Sequence, residues 1–159
     1  IYGRIRAAAE ADGLPLELER IKRSPATLKA HRLLLLAEEA GSDAMPGAGP
    51  SPATRLKERL FDDYFVQGRD IGDDEVLTDA ADAAGLPRQR IGEFLAGEVG
   101  VQEVRELEAE AQRLGVQGVP FFILDRRLAV SGAQTPEVLM GAIRKALEMR
   151  DSEGPPPVG

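Results

Sequence analysis

A chain of 159 residues with 43% hydrophobic content is long enough for one domain with a real core, and 30% charged residues with a net charge of -7 disfavour a surface that neutralises nucleic-acid phosphates. No apolar run approaches the roughly 20 residues of a membrane helix, and the N-terminus lacks the basic-then-apolar order of a signal peptide, so neither a nucleic-acid partner nor a bilayer is expected. The absence of cysteine excludes disulfides, thiolate-ligated zinc and a thiol nucleophile within these residues, and the single histidine, His31, makes no metal site and no supported Ser-His-Asp set.

In chain order, Ile1-Tyr2-Gly3-Arg4-Ile5-Arg6-Ala7-Ala8-Ala9-Glu10-Ala11 reads as an amphipathic helix already under way, without a capping residue before it, and the expectation is a chain that starts inside a larger protein. It stops at Gly13. Residues 14–21 alternate loosely between apolar and charged positions, which fits a short edge strand or an extended connection. Ser24 as N-cap and Pro25 at the first helical position open the second helix, with Leu28 and Leu33 to Leu36 facing inward as far as Gly41. Residues 41–52, rich in Gly, Pro, Ser and Ala, read as a flexible loop.

Leu56, Leu60, Phe61, Tyr64 and Phe65 recur at helical spacing and predict a third helix ending at Gly68. Asp73-Asp74-Glu75 places carboxylates at the positive end of a fourth, whose apolar positions are Val76, Leu77, Ala80 and Ala84. Pro87 starts a fifth, with Ile91, Phe94 and Leu95 inward, and residues 101–114 form a sixth through Val101, Val104, Leu107, Ala111 and Leu114. The acidic clusters Asp62-Asp63 and Asp73-Asp74-Glu75 read as solvated helix ends, since their spacing fits no calcium loop.

After Gly115 the period changes. Val119-Pro120-Phe121-Phe122-Ile123-Leu124 is a compact apolar run, Asp125-Arg126 can turn, and Leu128-Ala129-Val130-Ser131 follows as a second strand of a hairpin. Thr135 as N-cap and Pro136 in the first turn open a last helix, with Val138, Leu139, Ala142, Ile143, Ala146 and Leu147 as its buried face. Two short strands are not stable alone in water and need further strands or helices to cover them. A proline at the head of a buried strand cannot donate to the sheet, which favours an edge, a bulge or a cis peptide bond at Val119-Pro120.

The run Gly115-Val116-Gln117-Gly118-Val119-Pro120-Phe121-Phe122-Ile123, then Val130-Ser131-Gly132-Ala133-Gln134 and a closing amphipathic helix, resembles the C-terminal end of DsbA-family thioredoxin-like domains, in the branch near FrnE-type oxidoreductases and 2-hydroxychromene-2-carboxylate isomerases. Upstream, Thr27-Leu28-Lys29-Ala30-His31-Arg32-Leu33 and Tyr64-Phe65 through Gly68-Arg69-Asp70-Ile71 resemble segments of that family's helical insertion. The resemblance implies an α/β, thioredoxin-like fold of DsbA type with a large helical insertion. Residues 1–115 would be mainly that insertion, 116–150 the cis-proline loop, hairpin and last helix, and 151–159 a disordered tail. The family's first strands and its Cys-x-x-Cys helix would precede Ile1.

By the same resemblance the protein is a thiol–disulfide oxidoreductase with its cysteines upstream of Ile1. No catalytic residue then lies in this segment. Val119 would hold an extended cysteine-containing protein or peptide, or glutathione, by main-chain hydrogen bonds, and Pro120 would shape the docking surface. Ser131, Gly132, Ala133 and Gln134 stand where glutathione-using relatives bind the γ-glutamyl end near the last helix's N-terminus, and an ordinary strand-to-helix turn is the other reading. No cofactor is required, with glutathione as the alternative ligand. Two further readings are a glutathione-dependent isomerase or transferase of the same fold and a non-catalytic binding module. Relatives often carry Pro-Asn-Thr where this chain has Pro25-Ala26-Thr27, and Ala26 cannot hydrogen-bond a substrate. His31, on a leucine-rich helix, is expected to be structural or on the surface. The branch implies residence in the cytoplasm and leaves an oligomer open.

Overall fold

The computed structural model describes residues 2–41 and 49–153. It divides into two compact units, Ile1–Arg105 and Glu106–Gly159, so the division falls inside a helix, N-terminal to the change of period at Gly115 and to the boundary expected after residue 115.

The first unit is helical: α1 (Tyr2–Ala11), a 3-10 turn (Leu18–Arg20), α2 (Leu28–Gly41), α3 (Pro52–Phe61) running into a π-helical turn (Asp62–Val66), α4 (Asp74–Ala83), α5 (Arg88–Ala96) and the start of α6 (Val101–Arg113). Its core is drawn from α2 to α5 and the α4–α5 connection: Leu33, Leu56, Leu77 and Ile91 are buried, with Leu60, Leu86 and Leu95 beside them. Ala30, Ala37, Ala53, Ala80, Ala81 and Ala84 complete it, and small side chains at these contacts let neighbouring helices approach closely. Burial of each large aliphatic side chain stabilises by roughly 1.5–3 kcal/mol.

Helix ends are closed by side chains. Asp73 Oδ1 accepts from the Glu75 and Val76 N–H groups at 2.9 and 3.2 Å, and Ser51 Oγ accepts from the Thr54 N–H at 3.1 Å ahead of Pro52. Two arginines bind C-terminal carbonyls. Arg32, only 2% exposed, donates to Phe94 O at 2.7 Å, Gly97 O at 2.8 Å and Val99 O at 2.6 Å, and its guanidinium lies 4.9 Å from the Phe94 ring centre. Arg55 donates twice to Ala84 O, at 3.0 and 2.9 Å, closing the end of α4.

Several local expectations are corrected. Of the strand or connection expected over residues 14–21 the strand is absent: the segment is a connection holding the 3-10 turn, tied to the π-helical turn by the Glu17 N–H donating to Phe65 O at 2.8 Å. The second helix begins at Leu28, not at Ser24-Pro25. Residues 25–27 belong to no helix or strand, and the Ala26 backbone is so near Gly72 that a Cβ on Gly72 would stand 3.0 Å from the Ala26 carbonyl oxygen. The third helix changes to π geometry after Phe61 before reaching Gly68. Of the loop expected over 41–52, residues 42–48 lie outside the described residues.

In the second unit β1 (Phe121–Leu124) pairs antiparallel with β2 (Leu128–Ser131), in the register Phe121↔Ser131 to Leu124↔Leu128. Asp125 and Arg126 take positive φ values of 50° and 55°, and the Arg127 N–H closes the turn on Leu124 O at 3.0 Å. The last helix, α7 (Pro136–Glu153), packs on both strands. Residues 151–153 therefore continue this helix and are not part of a tail, while 154–159 lie outside the described residues.

The buried face expected of α7 is corrected as well. Ala146 is buried and Leu139 and Ala142 are half-buried, but Val138, Ile143 and Leu147 are exposed. The reason is geometric: Leu139, Ala142 and Ala146, at steps of three and four, form one narrow stripe along the helix, and a two-stranded sheet covers that stripe but not Val138, Ile143 and Leu147 on its flanks. Leu107 and Leu114 of the sixth helical segment are exposed too, and Val104 is its buried anchor.

Candidate functional site

The hairpin register brings all six sequence-predicted binding residues to one place. Phe121 faces Ser131 in the last pair of the ladder, so Val119-Pro120 enters and Ser131-Gly132-Ala133-Gln134 leaves at the same open end. One more hydrogen bond extends the pairing: the Gly132 N–H donates to Pro120 O at 2.9 Å. The Gln134 side chain folds back, its Nε2 donating to Ser131 O at 2.9 Å. Gly132 has φ +82, which turns the chain from β2 toward α7.

The Val119–Pro120 peptide bond is cis. Val119 is 90% exposed, and among the described residues neither its N–H nor its C=O has a hydrogen-bond partner. Pro120, Ser131, Ala133 and Gln134 are exposed and Gly132 is half-buried. The open end thus presents an unpaired backbone donor and acceptor beside a ring that fixes the local chain direction. Such a surface suits an extended peptide better than a compact ligand, since main-chain pairing needs little enclosure.

The neighbouring start of α7 has different electrostatics from those of an empty anion site. The Leu139 N–H donates to Thr135 O at 3.1 Å, which puts Thr135 at the cap position. The Glu137 carboxyl is held below its ordinary range by its own backbone N–H and, secondarily, by the Thr135 hydroxyl. This helix start therefore already carries a carboxylate of the protein.

The remaining candidates lie in the first unit. His31 is exposed on α2 and its backbone N–H donates to Thr27 O at 3.0 Å. Asp73, Asp74 and Glu75 are exposed, as solvated helix-end residues should be, but Asp63 overturns that reading for its cluster. It is fully buried and accepts from Arg59 Nε at 3.0 Å, Arg59 NH2 at 3.1 Å and Arg69 NH1 at 3.1 Å. Arg69 continues to Asp79 at 3.1 Å, and Asp79 accepts from Arg88 at 2.8 Å. The i,i+4 spacing of Arg59 and Asp63 was the available sequence signal for this network. Among the described residues no group of three or more His, Cys, Asp or Glu side chains is placed to hold a metal ion, and no helix is long and apolar enough to cross a membrane.

The family description "DSBA-like thioredoxin domain" matches residues 1–144. The crystal structure of a probable DsbA oxidoreductase from Streptomyces coelicolor is similar over 96% of this chain and 59% of its own, with a TM-score of 0.73 and 34% sequence identity. The chain thus spans 59% of that protein's length. None of the curated proteins compared matches it.

Proposed function

The chain belongs to the DsbA-like thioredoxin domain family, with that family's thioredoxin-like fold, and on that premise we propose that it is the substrate-docking part of a thiol–disulfide oxidoreductase of the FrnE type. The observation that carries the reading is the exposed, unpaired Val119 backbone beside cis Pro120 at the open end of the hairpin. An extended cysteine-containing peptide pairs with Val119 there, and Pro120 shapes the surface on which it lies.

The 159 residues hold no cysteine, so the thiol pair of this proposal is carried outside them. One thiolate of that pair attacks a sulfur of the substrate disulfide. The substrate S–S bond breaks, a mixed disulfide forms and the second substrate sulfur leaves as a thiolate. Attack by the partner cysteine then releases the first sulfur and leaves the pair oxidised. Docking along Val119 holds the substrate sulfur in line for that exchange. Cytoplasmic residence goes with the FrnE branch.

Glutathione as the ligand, with isomerase or transferase chemistry, is the weaker reading. Glu137 and Thr135 already occupy the start of α7, where a bound carboxylate would have to compete with the protein's own.

The test is turnover of a disulfide substrate by the full-length protein and its Pro120→Thr variant, with gel analysis under non-reducing conditions. An oxidoreductase shows turnover in the wild type and altered turnover or accumulated mixed disulfides in the variant. A full reading frame without a cysteine pair, or a variant indistinguishable from wild type in every assay, leaves a binding module in its place.

A further inference from the structure

Within the first unit, a hollow of about 260 Å³ is lined by Ile21, Lys22, Arg23, Tyr64, Arg69 and Asp70, together with Gly68. We propose that it binds a small oxyanion, the carboxylate or phosphate group of a ligand. No role in the docking of a peptide at Val119 is needed for this, and the two proposals stand or fall separately.

In a chain of net charge -7, three cationic side chains meet one carboxylate in this hollow. The carboxylate is already engaged: Asp70 Oδ1 accepts from the Gly72 N–H at 2.9 Å, and Oδ2 accepts from Arg23, whose Nε lies 2.6 Å away. Arg69 is likewise held, by Asp63 and Asp79, each at 3.1 Å, so it stays in the wall as a positioned cation.

What remains is a set of donors without acceptors. Among the described residues Lys22 Nζ, the Tyr64 hydroxyl and the NH1 nitrogen of Arg23 have no hydrogen-bond or ion-pair partner. All three belong to residues of the one hollow. Ammonium, phenol and guanidinium groups carried by residues that line one hollow are complementary to oxygen atoms bearing negative charge.

Backbone geometry keeps the walls together. Gly68 sits against Arg20, and a Cβ on Gly68 would stand 2.6 Å from the Arg20 carbonyl oxygen, so the chain leading into Ile21 to Arg23 lies directly on the Gly68 to Asp70 loop. Size narrows the ligand. Sites that enclose a whole drug-sized molecule run to about 300–1,000 Å³, so this smaller, open hollow suits one anionic group.

The test is isothermal titration of the purified protein with inorganic phosphate and, separately, with succinate, against chloride at matched ionic strength. Saturable binding of either anion is expected, weakened tenfold or more in Lys22→Met and several-fold in Tyr64→Phe. Melting temperatures without ligand should stay unchanged, because Lys22 has no partner to lose and phenylalanine keeps the ring. Should Lys22→Met unfold, Lys22→Gln and Tyr64→Phe carry the test. Response to phosphate alone assigns the site to phosphate groups, response to succinate alone to carboxylates, and either supports the proposal. No saturable heat with both anions, or binding indifferent to both substitutions, overturns it.

Discussion

The Gly132 amide donates to the Pro120 carbonyl at 2.9 Å, one hydrogen bond beyond the Phe121–Ser131 pair, and so ties the two halves of the candidate site together. The bond depends on Gly132 holding φ +82, a conformation that costs an L-residue about 1–2 kcal/mol. Gly132→Ala should therefore destabilise the second unit by about that amount and speed amide exchange at residue 132. Gly118→Ala is the control, since a Cβ there meets nothing within 4 Å. Urea titration of both variants checks the contrast, and equal midpoints would contradict it.

Asp63 is the only buried carboxylate among the described residues, and it is shared by Arg59 and Arg69. Asp63→Ala removes the acceptor from both guanidinium groups in a part-buried setting. Loss of one partner of a fully buried pair costs about 3–5 kcal/mol. Arg59 and Arg69 keep 40% and 32% of their side-chain surface in water, so they can rehydrate, and a cost of about 2–3 kcal/mol is expected here. A double-mutant cycle of Asp63→Ala with Arg59→Ala, read by chemical denaturation, should show clear coupling. Additive effects would show that the pair contributes nothing of its own.

Acid should weaken the first unit through Asp79 and Asp70. The Asp79 carboxyl is held below its ordinary range by Arg88 first and Arg69 second, and that of Asp70 by the Gly72 N–H first and Arg23 second. Between the ordinary aspartate value of about 3.9 and these depressed values, the unfolded chain binds more protons than the folded one, so stability rises with pH. The contribution is complete above the ordinary value and is lost as pH falls through the depressed one. Asp79→Asn and Asp70→Asn should each lower the neutral-pH unfolding midpoint and flatten the acid limb. The difference from wild type should vanish at the acid end, and a difference independent of pH would refute the assignment.

Where helices are held by their own apolar spacing, the sequence was a sufficient guide. Leu56 and Leu60, Leu77 with Ala80 and Ala84, and Ile91 with Leu95 stand three or four residues apart and are all buried. Tertiary partners decided the rest. Ser24-Pro25 and Ser51-Pro52 are the same dipeptide, yet only the second opens a helix directly, because the Ala26 backbone after the first is packed beside Gly72. Asp62 and Asp63 are adjacent and identical in type, and only Asp63 is fully buried, because Arg69 returns to it from beyond the π-helical turn. The six site residues were legible as two short segments, and the turn at Asp125-Arg126 sets the hairpin register that brings them together.

Gly68 gives the sharpest backbone test. Its φ is +67, and a Cβ there would stand 2.5 Å from Arg20 Cβ and 2.7 Å from the Arg20 carbonyl carbon. Real side chains do not tolerate such contacts, and the obstacles include backbone atoms, which cannot rotate away. Gly68→Ala therefore adds a steric displacement to the cost of positive φ, and about 2–4 kcal/mol of destabilisation is expected, more than for Gly132→Ala. The displacement should also separate the Arg20 segment from the π-helical turn. The Glu17 N–H donates to Phe65 O at 2.8 Å across that contact, so its amide exchange should accelerate in Gly68→Ala and stay slow in Gly132→Ala. Hydrogen exchange on the two variants distinguishes a local clash at Arg20 from a general loss of stability, which would quicken exchange in both.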